Sequence, residues 1–467
     1  MTMFSQKIFS LPCSGTGYFE FFLFFKRAST PRDLECKEIS MNFEMLHPAD
    51  RIVTMMNRIY YHDMTTALGV NLSVRDAEGT VWISPGGVDK GNLRREDIMQ
   101  IKADGSIVGI HRPSAEYPFH LAIYKRRPDI RAVLHAHPPT VIAGTLLKQI
   151  PDISVIPCLQ PLVGEVSLVS YEIPGSAALG DRISSEFARG INSVILERHG
   201  TVIGAETLFE AFLSFEALCL CSQIQRNAKA IGGVFRHVSA EAQQSIQTKL
   251  ARELKEYKPA IRSGEELQMR RELCEFIGRA YEKRFVTGRH GVFSCRLSDG
   301  SVLITPEAKD RKYLKPEDLV LVSNGKREAG KLPDASIVLH LAIYANDPCI
   351  GSVTETLPAS SMAFAVTDCE LDLRLLPETY ISLRNIPKYP LNSDVKTIAH
   401  GMTVKTPVAI VENGCVLAAG VSLLKAFDRL EMMENSAKIL TEALLFGEAP
   451  GGIGSEAFGE LERAFNL

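Results

Sequence analysis

The sequence lacks the features that mark disulfide-stabilised or nucleic-acid-binding proteins. Its ten cysteines include no Cys-x-x-Cys pair, so neither a dithiol redox motif nor a short-spaced zinc site is indicated. We interpret these cysteines as reduced thiols, which suits the cytoplasm. The net charge is −3 and no segment is rich in lysine or arginine, so the sequence gives no electrostatic reason to expect nucleic-acid binding.

Long apolar runs are missing as well. The most apolar segment, residues 17–27, is about half as long as the ~20 residues that a membrane-spanning helix requires. Its basic residues, Lys26 and Arg27, follow the apolar run, whereas those of a signal peptide precede it. We therefore predict no membrane association and interpret residues 1–40 as a disordered leader.

What the sequence does contain is an unusual stretch, residues 113–139, that reads PSAEYPFHLAIYKRRPDIRAVLHAHPP. Ser114 is a favourable helix N-cap, and Glu116 then falls in the first turn of the predicted helix. Pro128 ends that helix, because proline cannot continue it. The sequence therefore predicts an acidic side chain at the start of this helix.

Two histidines follow at the end of a short predicted strand over residues 131–134. Side chains two residues apart in a strand point to the same face, so His135 and His137 lie together. A third histidine, His199, ends a later predicted strand in ILERHGTVIG. Two or three imidazoles on one face are typical of zinc sites. Taken alone, however, a His-x-His pair is more often two polar residues on an exposed strand.

The combination of motifs is more specific than any one of them. Pro-Ser-x-Glu before a helix, AVLHAHPPT, and LERHG before an amphipathic helix together resemble the class II aldolase and adducin family, from about residue 48 to residue 233. That family contains zinc-dependent sugar-phosphate aldolases and epimerases, with adducin as a non-enzymatic relative. The resemblance implies an α/β fold of three layers, α/β/α, and a homo-oligomer in the cytoplasm.

The resemblance also implies roles for individual residues. One Zn²⁺ would be bound by His135, His137 and His199, and Glu116 would be the general base. A three-imidazole site also accepts Co²⁺ or Mn²⁺. Four positions match those that bind the substrate phosphate in the family: Asn71, Gly86, Gly87 and Ser114. This chain departs from the family pattern at two neighbours, because Val70 replaces a glycine and Ala115 replaces a serine.

The implied reaction is the aldol cleavage of a small ketose phosphate through an enediolate that the metal stabilises. Two alternatives remain open. The chain could be a sugar-phosphate epimerase, dehydratase or decarboxylase of the same family, since the same metal and enediolate chemistry serves them all. It could also be a non-catalytic, adducin-like binding protein.

The second half of the chain repeats the first with an offset of about 220 residues. HLAIY at 120–124 returns at 340–344, and ISPGGVDKGNLRREDI at 83–98 returns as ITPEAKDRKYLKPEDL at 304–319. A period of this length indicates two domain-sized units. We predict a first copy, a helical linker, a second copy and a C-terminal tail, at residues 41–235, 236–268, 269–447 and 448–467.

The second copy lacks the predicted site residues. The positions of Asn71, Glu116, His135, His137 and His199 are expected to be taken by Val292, Ser336, Glu355, Leu357 and Asn413. His340 nevertheless persists at the position of His120. Because this histidine is kept where the site is lost, we predict that His120 has a structural role.

Overall fold

The structure, a computed structural model, describes residues 43–236, 238, 253–259, 261–447 and 450–465. The predicted leader, residues 1–40, and most of the charged part of the linker, residues 239–252, lie outside the described residues. All described residues from Leu46 onward belong to one compact unit that contains both copies.

Thirteen α-helices are present in the described residues. They are α1 (Pro48–Tyr61), α2 (Tyr117–Arg126), α3 (Pro139–Leu146), α4 (Gln160–Val163), α5 (Ala177–Ala188), α6 (Leu208–Ala230), α7 (Gly264–Glu282), α8 (Ile337–Asn346), α9 (Ala359–Ala365), α10 (Pro377–Leu383), α11 (Val395–Gly401), α12 (Leu423–Leu445) and α13 (Ser455–Phe465). The long helices α6 and α12 begin at the caps Thr207 and Ser422, whose hydroxyls accept the N–H of the third helical residue.

The strands form two sheets. The strands are β1 (Asn71–Arg75), β2 (Val81–Ile83), β3 (Met99–Ile101), β4 (Ile107–Val108), β5 (Ala132–Ala136), β6 (Val166–Val169), β7 (Ser193–Leu196), β8 (Gly200–Ala205), β9 (Lys255–Tyr257), β10 (Val292–Arg296), β11 (Val302–Ile304), β12 (Val320–Ser323), β13 (Lys326–Glu328), β14 (Ser352–Thr356), β15 (Lys388–Tyr389), β16 (Val408–Val411) and β17 (Cys415–Gly420). The first sheet has the order β4-β3-β2-β1-β5-β8-β7-β6, and the second has β13-β12-β11-β10-β14-β17-β16-β15 with β9 added beside β13. The two copies therefore share one topology.

Helices cover both faces of the first sheet, which confirms the predicted α/β/α layers. Phe119 of α2 and Phe187 of α5 join one cluster with Val133 and Val202 of the sheet. Helices α1 and α6 pack on the opposite face, against β1, β5 and β8. The period-two alternation of β5 places Val133 and His135 on the α2 side.

The strand registers align the two copies and correct one predicted correspondence. Leu196 pairs with Gly200 in the first copy, and Val411 pairs with Cys415 in the second. The offset here is therefore 215, and His199 corresponds to Gly414. The prediction that Asn413 takes the place of His199 is wrong, because Asn413 corresponds to Arg198. Both of these residues have positive φ angles, of 56° and 61°.

The linker and the tail differ in their agreement with prediction. Residues 255–257 of the linker, interpreted as helical, form strand β9, which pairs in parallel with β13. The tail contains the helix expected from its apolar spacing, α13.

The eight cysteines of the described residues are all free thiols. None of the helices in the described part of the chain is both long and apolar enough to cross a lipid bilayer.

Candidate metal centre

The three predicted ligands converge at one end of the first sheet. His135 lies in β5, His137 directly follows that strand, and His199 lies in the turn between β7 and β8. One ring nitrogen from each lies within 4.8 Å of the others. The Nε2 atoms of His135 and His137 are 2.9 Å apart. The antiparallel pairing of β5 with β8 brings residues separated by more than 60 positions to this point.

A backbone contact determines which nitrogen of His135 faces the centre. Its Nδ1 atom lies 2.9 Å from the carbonyl oxygen of Thr201, so Nδ1 carries the hydrogen and donates it. The Nε2 atom of His135 is then left with its lone pair. A second ring nitrogen held by a carbonyl is the usual arrangement of a metal-binding histidine.

Burial favours the neutral form of two of these imidazoles, those of His137 and His199. Burial, followed by the neighbouring His135 and His199, lowers the pKa of His137 to about 3. Burial and His135 also lower the pKa of His199. Neutral imidazole is the form that binds a metal ion.

Glu116 faces the histidines from the start of helix α2. It occupies the N-cap position, because the helix begins at Tyr117 rather than directly after Ser114 as predicted. Its Oε2 atom lies 3.2 Å from Nε2 of His135, and its Oε1 atom lies 3.4 Å from Nε2 of His199. Burial alone would raise the pKa of this carboxyl group, but the contacts with His135, His199 and Asn71 outweigh it and lower the pKa to about 2.

A chain of hydrogen bonds connects Glu116 to Asn71, His120 and Ser73. The amide nitrogen of Asn71 donates to Oε2 of Glu116 at 2.9 Å. The amide oxygen of Asn71 lies 2.5 Å from Nε2 of His120, whose Nδ1 lies 2.7 Å from the hydroxyl of Ser73. Tyr124 contacts the same hydroxyl at 2.6 Å. His120 therefore orients the Asn71 amide, a role that the sequence analysis missed. No signal for this contact exists in the sequence, because His340 is retained in the copy where Val292 takes the place of Asn71.

Three of the four predicted phosphate-binding positions lie close to Glu116 or to its neighbour Ser114: Asn71 and Ser114 contact Glu116, and Gly86 lies beside Ser114. The N–H of Gly86 donates to the carbonyl of Arg112 at 2.9 Å. Gly87 has a positive φ of 68°, which favours glycine. The Ser114 hydroxyl accepts the N–H of Glu116 at 3.3 Å. No structural observation tests their role, so phosphate binding by these residues and Asn71 stays a prediction.

The residues present fit a divalent metal ion. Three imidazole nitrogens form the donor set, and borderline metals such as Zn²⁺ favour imidazole. Oε1 of Glu116 and Nδ1 of His199 are buried polar atoms without a hydrogen-bond partner among the described residues. Three protein ligands with a carboxylate beside them are typical of a catalytic rather than a closed structural site.

The second copy cannot form this centre. Glu355 pairs with Val292 across β14 and β10, where His135 pairs with Asn71 in the first copy. In the remaining positions, the second copy has Ser336, Leu357 and Gly414. The only group of three potential metal ligands found in the described residues is that of the first copy.

Comparison with known proteins gives consistent matches. The family model described as "Class II Aldolase and Adducin N-terminal domain" matches residues 50–226 and again residues 271–441. A 5-deoxy-D-ribulose 1-phosphate aldolase of Bacillus thuringiensis is 31% identical over 186 residues, which are 39% of this chain and 86% of that protein. A 3-oxo-tetronate 4-phosphate decarboxylase of Haemophilus influenzae is 29% identical over 36% of this chain and 81% of its own length.

Two solved aldolase structures also match part of this chain. An L-fuculose 1-phosphate aldolase has a TM-score of 0.38 and 27% identity, covering 42% of this chain and 92% of its own. The L-fuculose-1-phosphate aldolase of Thermus thermophilus has a TM-score of 0.35 and 21% identity, covering 40% of this chain and 96% of its own.

Proposed function

This chain belongs to the class II aldolase and adducin family, and we propose that its first copy is the active site of a metal-dependent aldolase that cleaves a small ketose phosphate. One observation carries the proposal. Three histidine nitrogens converge opposite the Glu116 carboxylate, whose Oε1 atom has no hydrogen-bond partner among the described residues.

The metal ion and the protein side chains would have different roles in the reaction. A divalent ion held by His135, His137 and His199 would supply a Lewis acid that stabilises the negative charge released when the carbon–carbon bond breaks. Glu116 would accept the hydroxyl proton of the carbon that leaves as an aldehyde, because its pKa of about 2 keeps it ionised at neutral pH. Asn71 would hold the Glu116 carboxylate in place for that transfer.

The substrate proposal comes from the relatives. One enzyme that this chain resembles is named 5-deoxy-D-ribulose 1-phosphate aldolase, and another is named L-fuculose phosphate aldolase. We propose a ketose 1-phosphate, with its phosphate beside Gly87 and Ser114 at the start of α2. A helix N-terminus favours an anion there.

A second candidate is the decarboxylation of a phosphorylated oxo acid. Four relatives between 28% and 30% identical are named 3-oxo-tetronate 4-phosphate decarboxylase. In that reaction, too, a bond to carbon breaks and leaves negative charge beside a carbonyl group, so the same three histidines would serve. Glu116 would then be less important, because no hydroxyl proton must be removed.

Metal analysis and substrate screening test the proposal together. We would purify the full chain without a histidine tag, determine bound metals by mass spectrometry, and assay ketose 1-phosphates and 3-oxo-tetronate 4-phosphate. About one zinc per chain with aldol cleavage is expected. Glu116→Gln should retain the metal and lower turnover by about 10²–10⁴-fold.

Glu355→Gln serves as the control, because Glu355 occupies the place of His135 in the copy without a centre. It should leave both metal content and turnover unchanged. Absence of bound metal in folded protein that has been incubated with zinc would refute the proposal and favour a non-catalytic binding role.

A further inference from the structure

A buried lysine of the first copy lies between the two turns that are predicted to bind phosphate. Lys90 is only 1% exposed. Its ammonium group donates a hydrogen bond to the carbonyl oxygen of Pro85, which directly precedes Gly86. Its backbone N–H donates to the carbonyl oxygen of Ala67 at 2.9 Å, in the loop that leads to Asn71. Lys90 is therefore attached to both turns.

This lysine forms no ion pair within the described part of the chain. Burial lowers the pKa of Lys90 to about 8, although Asp89 and Asp97 act in the opposite direction. Both acids are engaged elsewhere: the Asp89 side chain accepts the N–H of Gly91, and Asp97 contacts Nε2 of His111 at 2.8 Å. A buried ammonium group without a paired carboxylate is costly. The position therefore favours an anion as a ligand.

Arg311 of the second copy is the structural equivalent of Lys90. Its backbone N–H donates to the carbonyl oxygen of Gly288 at 2.9 Å, as that of Lys90 does to Ala67. Its guanidinium donates to the carbonyl oxygen of Pro306 at 3.0 Å, as the ammonium group of Lys90 does to the equivalent proline. Both copies therefore place a buried cation at the same point of the fold.

In the second copy, a carboxylate accompanies this cation. The Oδ2 atom of Asp334 lies 3.3 Å from a terminal nitrogen of Arg311. Asp334 corresponds to Ser114, because each follows a proline that forms an equivalent bridge in its copy. Each of the two side chains also accepts the N–H of the residue two positions later, at 3.1 and 3.3 Å. The first copy thus keeps the cation and has a hydroxyl group in place of the carboxylate.

The positions already predicted to bind phosphate carry no positive charge. They are Asn71, Gly86, Gly87 and Ser114. A phosphate monoester carries about 1.5 to 2 negative charges at pH 7. Hydrogen bonds in which one partner is charged are roughly twice as strong as those between neutral groups, and a cation on a dianion strengthens them further. Lys90 is the buried cation that adjoins these positions.

We propose that Lys90 is the residue that makes the first copy select a substrate with a dianionic group, and that Asp334 is a built-in substitute for that group in the second copy. A phosphate beside Ser114 would take the place that the Asp334 carboxylate occupies next to Arg311. The second copy would then hold its own anion permanently. The identity of the anion as a sugar phosphate rests on the proposed function.

The proposed role concerns affinity more than bond breaking. The carbon–carbon bond would break beside the three histidines, whereas Lys90 would contact the far end of the substrate. Loss of the Lys90 charge should therefore raise KM for a phosphorylated substrate more than it lowers kcat. A merely structural lysine would change neither KM alone nor the preference for a charged substrate.

Binding of inorganic phosphate to the full chain tests the proposal without depending on turnover. Isothermal titration calorimetry at pH 7 gives the dissociation constant. Lys90→Met removes the charge with little change in side-chain length, and should raise that constant by about tenfold or more. Lys90→Arg introduces the residue of the second copy and should restore binding. Lys125→Met, at an exposed position of α2, is the matched control and should have no effect.

Three further measurements show where the phosphate binds. Ser114→Asp adds a carboxylate beside Lys90, as in the second copy, and should abolish phosphate binding. His137→Ala should retain it, because the anion would not depend on the metal centre. Above pH 8, phosphate should bind the unmodified protein more weakly than it binds Lys90→Arg, because the lysine then loses its proton and an arginine does not.

The outcomes for Lys90 and for the reaction can be told apart. Equal phosphate affinity in Lys90→Met and the unmodified protein would overturn the proposal. So would weak binding by Lys90→Arg, or no binding by the unmodified protein at millimolar phosphate. If Lys90→Met loses its circular dichroism signal, retained binding in Ser114→Asp would overturn the proposal instead. A protein that binds phosphate through Lys90 but cleaves no ketose 1-phosphate would support this inference and contradict the proposed reaction.

Discussion

His120 and His340 occupy equivalent positions in helices α2 and α8, yet within the described part of the chain only His120 has a hydrogen-bond partner for its Nε2 atom. Each receives a serine hydroxyl at Nδ1, from Ser73 or Ser294, at 2.7 Å. The serine–histidine contact is kept in both copies and therefore belongs to the fold. The contact with Asn71 exists only in the copy with the three histidines, and therefore belongs to the site.

Replacing Asn71 by valine, the residue of the second copy, tests this distinction. Nε2 of His120 would lose its partner and Oε2 of Glu116 would lose its amide donor. We expect turnover to fall by about 10–100-fold with metal content unchanged, because Glu116 would no longer be held in position. The unpaired buried nitrogen should lower the free energy of unfolding by about 1–3 kcal/mol. Steady-state kinetics, metal analysis and denaturant unfolding measure the three effects.

The reverse change in the second copy is the matched control. Val292→Asn would offer His340 the missing partner, so turnover should stay at the level of the unmodified protein. Full turnover in Asn71→Val would show that the amide does not position Glu116.

The parts of the site that could be predicted from the sequence are those set by residues close together in the chain. The sequence could place His135 and His137 together because side chains two residues apart in a strand share a face. It could place Glu116 at the start of a helix because local residues mark where a helix begins. The partner of Asn71 could not be predicted, since His120 reaches it from another element. The alignment of His199 with Asn413 failed because the sequence allows an offset of either 214 or 215 residues here, and the strand register selects 215.

The ionic contact between the copies was equally hidden in the sequence. Arg58 of α1 is fully buried against Asp310 and Tyr281, and Glu216 accepts from Tyr281 at 3.2 Å. These residues are scattered over more than 250 positions, and none stands in a recognisable motif.

Removal of Arg58 should therefore destabilise the whole protein. Arg58→Ala leaves Asp310 and Glu216 without their cation, and breaking a buried ion pair in this way lowers the free energy of unfolding by about 3–5 kcal/mol. Denaturant unfolding followed by circular dichroism gives the value. For comparison, Arg95→Ala removes the exposed pair with Asp50, whose atoms are 3.3 Å apart, and should change stability by less than about 1 kcal/mol. A similar small effect of Arg58→Ala would mean that the pair does not hold the copies together.

Glu355 gives the second copy a pH dependence of its own. Burial, with Asp334 nearby, raises the pKa of Glu355 to about 7. Since the folded pKa lies above the unfolded value, the folded state gains stability when the group is protonated, and that gain is lost as pH rises from about 4.5 to 7. Glu355→Gln should remove this part of the dependence and leave the variant more stable than the parent at pH 8 by about 2–3 kcal/mol. Unfolding curves at pH 5 and pH 8 measure both proteins, and equal slopes for the two would contradict the assignment.

Zinc should stabilise the protein through the first copy alone. An ion that binds only the folded state raises its stability by about 2.7 kcal/mol at a hundredfold excess over the dissociation constant. The melting temperature of metal-free protein should therefore rise on addition of zinc. His137→Ala should abolish that rise, because it leaves only two of the three nitrogens that lie within 4.8 Å of one another. His290→Ala, which removes a histidine of the second copy outside the centre, should keep the zinc-induced rise even if its starting stability is lower. A zinc response that persists in His137→Ala would place the ion elsewhere and remove the support for the three-histidine centre.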